Sequence, residues 1–217
     1  MRAVTRFRDR SDAGRQLAAR LERYRENAGT TVLALPRGGV PVGAEIARAL
    51  AAPLDVFVVR KLGVPGHEEL AMGALATGGA RVLNREVVAR IGISAEQLDT
   101  VTAREREEVG RRERLYRGDR PSPDVTGRTV IVVDDGLATG ATMRAAVAAL
   151  RQRDPERIVV AVPTGSADTC ADLRAHADEV VCLLTPDPFL AVGFWYEDFG
   201  QVSDEEVRSL LEAAARD

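Results

Sequence analysis

Between Thr129 and Thr142 the chain reads Thr-Val-Ile-Val-Val-Asp-Asp-Gly-Leu-Ala-Thr-Gly-Ala-Thr, and this stretch constrains the fold more than any other. Val130 to Val133 is a run of β-branched residues with no polar alternation, which reads as a strand buried on both faces. Strands of that kind belong to parallel sheets covered by helices. The run delivers two carboxylates, Asp134 and Asp135, to its carboxyl end, the edge of an open α/β sheet where ligands bind. The turn that follows is small and hydroxylated and runs straight into a helix. Gly140 lets backbone come close to a ligand there. Neighbouring N–H groups and the Thr139 and Thr142 hydroxyls can then surround a phosphate at the helix N-terminus. A phosphate cradle beside two acids suits a phosphorylated sugar with free hydroxyls.

The rest of the chain alternates short apolar runs with longer amphipathic stretches, the pattern of βαβ units. Strands are expected at 31–35, 54–59, 129–133, 157–162 and 179–184. Helices are expected at 11–27, 40–51, 142–153, 166–175 and 203–215. The stretch 84–117 is helical, with Ser94 and Gln97 forming a capping box for its second half and an Arg/Glu run that reads as a solvated face. Residues 63–73 mix Gly, Pro and charge without periodicity and are expected to form a mobile loop, followed by a hairpin at 74–77 and 81–83. An aromatic-rich excursion occupies 185–201, and Ser203 with Glu206 caps the last helix. The sum is one α/β domain over 1–217, with a mainly parallel five-stranded sheet flanked by helices.

Composition narrows the classes. No apolar run approaches the roughly 20 residues that span a bilayer, and residues 1–10 are polar and Arg-rich, unlike a secretion signal. A cytoplasmic location with no membrane partner is the expectation. Cys170 and Cys182, the two cysteines, read as reduced structural thiols. A net charge of −3 with mixed signs gives no support for a nucleic-acid partner.

Positions 130–142 resemble the phosphoribosyl-pyrophosphate motif of type I phosphoribosyltransferases over thirteen consecutive residues. Receivers and aspartate-nucleophile phosphatases also place acids at strand ends, but those phosphatases use Asp-x-Asp and neither class expects Thr-Gly-x-Thr next. The resemblance implies the type I phosphoribosyltransferase fold, with a core over 28–184, a helical insertion at 84–117, and a small C-terminal hood and final helix at 185–217. It implies transfer of phosphoribosyl from 5-phosphoribosyl 1-pyrophosphate (PRPP) to a nitrogenous acceptor, with Mg²⁺ as cofactor. The 5-phosphate would lie on Ala138, Thr139, Gly140, Ala141 and Thr142. Asp134 and Asp135 would take the ribose hydroxyls and help hold the metal.

The pyrophosphate loop of the family maps onto Pro36-Arg37-Gly38-Gly39, with Arg37 and Gly38 on the diphosphate and a cis peptide at Pro36–Arg37. Arg60 or Lys61 would meet the leaving pyrophosphate from the end of the second strand, beside a loop at 62–73 that closes over the site. In the hood, Phe194 and Trp195 are the candidates for stacking on a base. One departure matters: hypoxanthine-guanine members usually carry Asp where this chain has Ala138, as in the Ala-Thr-Gly of adenine-type enzymes. The resemblance also implies a homodimer. It leaves open a non-catalytic PRPP or nucleotide sensor on the same fold, and an acceptor that is not a nucleobase.

Overall fold

A computed structural model of the chain describes residues 6–216. Its centre is a five-stranded sheet of β1 (Thr30–Ala34), β2 (Leu54–Val56), β6 (Thr129–Val133), β7 (Arg157–Thr164) and β8 (Glu179–Leu184). The spatial order is β2-β1-β6-β7-β8 and every pairing is parallel. Successive side chains of a strand point to opposite faces, and here both faces are covered. Val32, Ala34, Ile131, Val133, Val159 and Ala161 join one core. Leu33, Val130, Val132, Ile158, Val160 and Val162 join the other. That double burial is why the central strands carry no polar alternation.

Helices α1 (Arg10–Ala18), α2 (Gly39–Leu50) and α7 (Asp204–Ala214) contribute to the first core. Helices α5 (Ala141–Arg151) and α6 (Ala167–Leu173) contribute to the second. The expected helix at 11–27 is shorter than its sequence suggested. It stops at Ala18 and is followed by a 3-10 turn, Glu22–Tyr24, that brings Leu21 and Tyr24 into the core.

The stretch 54–76 departs most from expectation. The strand expected at 54–59 divides: Leu54–Val56 stays in the main sheet, and from Val59 the chain leaves it. Residues 63–73 are a hairpin instead of an unstructured loop. β3 (Val59–Val64) and β4 (His67–Ala76) pair antiparallel around a tip at 65–66, and β5 (Arg81–Leu83) adds a third strand. The period-2 signal is broken by register shifts on both sides of Gly63 and by exposed Glu68, Glu69 and Leu70. Arg60 and Lys61 therefore lie inside β3, opposite Leu75 and Ala74, and do not close a strand of the main sheet.

The insertion forms α3 (Arg85–Ile91) and α4 (Ala95–Arg117). Ser94 and Gln97 make the capping box in both directions, at 3.0 and 3.2 Å. Val101, Glu105, Val109 and Tyr116 recur on the buried face of α4, which packs on β3, β4 and α7. No helix among the described residues is long and apolar enough to cross a membrane.

Candidate functional site

The parallel order of β1 and β6 fixes where the chemistry gathers. Their registered pairing, Ala34 opposite Val133, brings the turns after both strands to one edge of the sheet. Leu35 N–H donates to the Val133 carbonyl at 2.8 Å, so the loop of Arg37 and Gly38 lies beside Asp134 and Asp135. The contact is close: a Cβ on Gly38 would stand 2.0 Å from Asp135 Oδ2. A side chain at 38 would have to displace that carboxylate. The Pro36–Arg37 peptide is cis.

The two acids share a strand end but not an environment. Asp134 Oδ1 accepts from the Asp135 N–H at 2.9 Å, and burial, followed by the charge of Asp135, pushes its carboxyl well above the usual carboxylate range. Burial also raises Asp135, against the pull of Arg10, whose Nε donates to Asp135 Oδ2 at 2.8 Å. Tyr196, from the hood, donates its hydroxyl to the Asp135 carbonyl at 2.6 Å.

After the acids the chain makes the cradle. Leu137 N–H donates to the Thr164 carbonyl at 2.8 Å, anchoring the turn to the end of β7. Gly140 adopts φ 69° and caps α5, and a Cβ there would stand 2.6 Å from the Thr169 side chain. Ala138, Thr139, Ala141 and Thr142 are exposed around the first turn of α5. Backbone N–H groups, hydroxyls and the positive end of a helix dipole meet there, an arrangement whose chemistry suits an anion. The Thr164 hydroxyl is buried beside Gly136 with no hydrogen-bond partner among the described residues.

The candidate cations are all held by acids. Arg37 Nη1 stands 3.9 Å from Asp204 at the start of α7, and Tyr116 from α4 donates to the same carboxylate at 2.6 Å. Arg60 Nε donates to Glu105 of α4 at 2.9 Å. Lys61 turns the other way, to Glu69 on the facing strand, 3.4 Å away and exposed.

In the hood, Val192–Trp195 is a 3-10 turn, and Val192 packs where a Cβ on Gly136 would fall. Phe194 is exposed, lies edge-on to Trp195 with centroids 5.5 Å apart, and is covered by the Arg6 guanidinium at 4.4 Å. Trp195 keeps a buried Nε1–H without a partner among the described residues.

Four residues that the sequence did not single out contact the candidates: Arg10, Glu105, Tyr196 and Asp204. Arg10 reaches Asp135 across 125 positions, and no local signal marks such a pair. Glu105 sits in an Arg/Glu run where nothing distinguishes it from solvated neighbours. The first turn of the last helix is acidic throughout, which hides Asp204 as an ordinary dipole partner.

The model of the phosphoribosyl transferase domain family matches residues 3–198. The chain belongs to that family. A Mycobacterium tuberculosis protein named as a phosphoribosyl transferase is 50% identical over 211 residues, 97% of this chain and 47% of that protein. The chain therefore spans about half the length of the curated relatives it matches. The crystal structure of the Thermus thermophilus protein TT1426 superposes with a TM-score of 0.85 at 46% identity, over 95% of this chain and 97% of that one. The α/β fold expected from the sequence, with its five-stranded parallel sheet, is the fold of this type I family.

Proposed function

We propose that this chain binds PRPP and transfers its phosphoribosyl group to a nitrogenous acceptor, a nucleobase in the first instance, releasing pyrophosphate. The observation that carries the reading is the meeting of three parts at one sheet edge. These are the Asp134–Asp135 pair, the open cradle at the N-terminus of α5, and the Gly38 loop in contact with Asp135. An anion site next to two carboxylates matches a sugar with a phosphate at one end and free hydroxyls on its ring.

The step is a substitution at ribose C1. The acceptor nitrogen forms a bond to C1 as the bond from C1 to the pyrophosphate oxygen breaks, and the acceptor's proton passes to solvent or a nearby base. The cradle holds the 5-phosphate, and Asp134 and Asp135 accept from the ribose hydroxyls, so the protein's work is positioning and charge. Arg37 and Arg60 meet the leaving diphosphate by exchanging Asp204 and Glu105 for its oxygens. Trp195 and, once Arg6 leaves its ring, Phe194 offer the acceptor an aromatic face.

Among the described residues no group of three or more acidic, His or Cys side chains could by itself hold a metal. Two carboxylates at one edge nevertheless fit Mg²⁺, which takes one or two carboxylates and completes its shell with water and substrate phosphates. Bound there with PRPP, it would neutralise diphosphate charge.

The test is pyrophosphate release from PRPP with Mg²⁺ across purines, pyrimidines and amines, with Asp134→Asn/Asp135→Asn as control. Release that depends on one acceptor and vanishes in the control supports transfer and names the acceptor. PRPP binding without release for any acceptor assigns the chain to sensing, and no binding overturns the reading.

A further inference from the structure

Arg10 opens α1 and lies outside every motif that points to PRPP, yet its guanidinium is engaged on three sides. Its Nε donates to Asp135 Oδ2 at 2.8 Å, its Nη1 donates to the Gly200 carbonyl at 2.7 Å, and its Cζ lies over the Phe199 ring, 3.9 Å from the centroid. Phe199 in turn packs on Tyr196 at 4.9 Å, and Tyr196 donates to the Asp135 backbone. One acid of the sugar site is thus gripped through its side chain and its carbonyl by a single unit made of α1 and the hood.

Two observations argue that this unit does more than hold the fold. First, neighbouring carboxylates are treated differently: among the described residues Asp134 accepts from a backbone N–H, whereas Asp135 has an arginine. Second, a charge pair with side chains only 12% and 16% exposed pays a desolvation cost that apolar packing would avoid. Its geometry also selects one oxygen. Arg10 and the Cβ-less face of Gly38 flank Oδ2, while no side chain among the described residues donates to Oδ1. A carboxylate has about four acceptor directions, so Oδ1 stays available to a ligand.

We propose that Arg10 is a positioning residue for the sugar donor: it fixes Asp135 Oδ2, presents Oδ1 to a ribose hydroxyl, and makes that orientation depend on Phe199 and Gly200 of the hood. This rests on the PRPP reading above. A donor site built in this way is complete only when the hood is seated against α1.

The experiment compares Arg10→Gln, Arg10→Lys, Phe199→Leu and Asp135→Asn, and the double variant Arg10→Gln/Asp135→Asn, with Arg8→Gln as a control on an exposed neighbour. The readouts are PRPP affinity by calorimetry with Mg²⁺, and KM and kcat. Arg10→Gln is expected to weaken PRPP binding and raise its KM about tenfold, the low end for a charge-assisted hydrogen bond, with kcat far less changed. Arg10→Lys recovers only part, because an ammonium cannot make the fork or the stack. Phe199→Leu shifts affinity about threefold in the same direction.

In the Asp135→Asn background the Arg10 change adds nothing, since it acts through that carboxylate. Additive losses overturn the inference by showing that Arg10 touches the donor itself. A folded Arg10→Gln with wild-type affinity overturns it outright. If Arg10→Gln does not fold, Arg10→Lys and Phe199→Leu decide, and wild-type affinity in both overturns it. If the wild-type chain binds no PRPP, the transferase reading falls and takes this one with it. If the wild type binds and Arg10→Gln matches it, only this inference falls.

Discussion

The Asp134–Asp135 pair shows a site residue costing the fold something. A carboxyl whose pKa is raised by burial favours folding most when protonated. Its contribution is full below the unfolded value and is lost as pH rises through the raised folded value. At neutral pH the Asp134 carboxyl therefore weakens the fold. Asp134→Asn should raise unfolding free energy by about 1 kcal/mol, with a larger gain at pH 8 than at pH 5 in urea titrations, while PRPP binding is lost. A gain that shrinks with rising pH would contradict this sign. Gly38→Ala belongs to the same scale. The new methyl would sit on Asp135 Oδ2, a side-chain tip that is free to swing only if Arg10 lets go. The expected result is a modest stability loss of about 1 kcal/mol with PRPP affinity down about tenfold, separable by thermal melting and calorimetry.

At the scale of elements, α4 does more than cover the hairpin. Its buried face supplies Glu105 to Arg60 and Tyr116 to Asp204, so the inserted helix sets the resting position of both candidate diphosphate cations. Glu105 is 5% exposed, but Arg60 keeps a third of its side chain in solvent. Glu105→Gln should therefore cost about 1–2 kcal/mol, below the range for breaking a fully buried pair. Glu108 on the outer face makes a useful contrast. Hydrogen bonds from Arg111, then Arg112, lower its pKa to about 2, and the stability it lends is present above its unfolded pKa and lost as pH falls towards about 2. Because those partners lie on the surface, Glu108→Gln should cost only about 0.3 kcal/mol. Equal losses for the two variants in denaturant titrations would refute the assignment of Glu105 to the buried face.

For the whole molecule, ligand linkage gives the simplest check. Saturation at about 100 times the dissociation constant stabilises a protein by about 2.7 kcal/mol, which for a chain of this size raises Tm by about 5–10 °C. PRPP with Mg²⁺ should produce that shift in the wild-type chain, and Asp134→Asn/Asp135→Asn should remove it. A wild-type Tm that ignores PRPP would contradict the donor assignment.

The sequence alone determined what depends on near neighbours. The apolar runs 130–133 and 158–162 had to be doubly buried strands, because no alternation could expose one face. Ser94 with Gln97 had to start a helix, and Asp134 to Thr142 had to place two acids beside a small, hydroxylated helix start, because fewer than ten residues separate them. Tertiary structure decided what depends on distant partners. The 63–73 stretch became a hairpin because pairing with β5 and cover from α4 stabilise strands whose own alternation is broken at Gly63. Arg60 and Glu105, Arg37 and Asp204, and Arg10 and Asp135 are ordinary charges in the sequence. They paired only when folding brought them within reach of each other, and no local periodicity records which charges will meet.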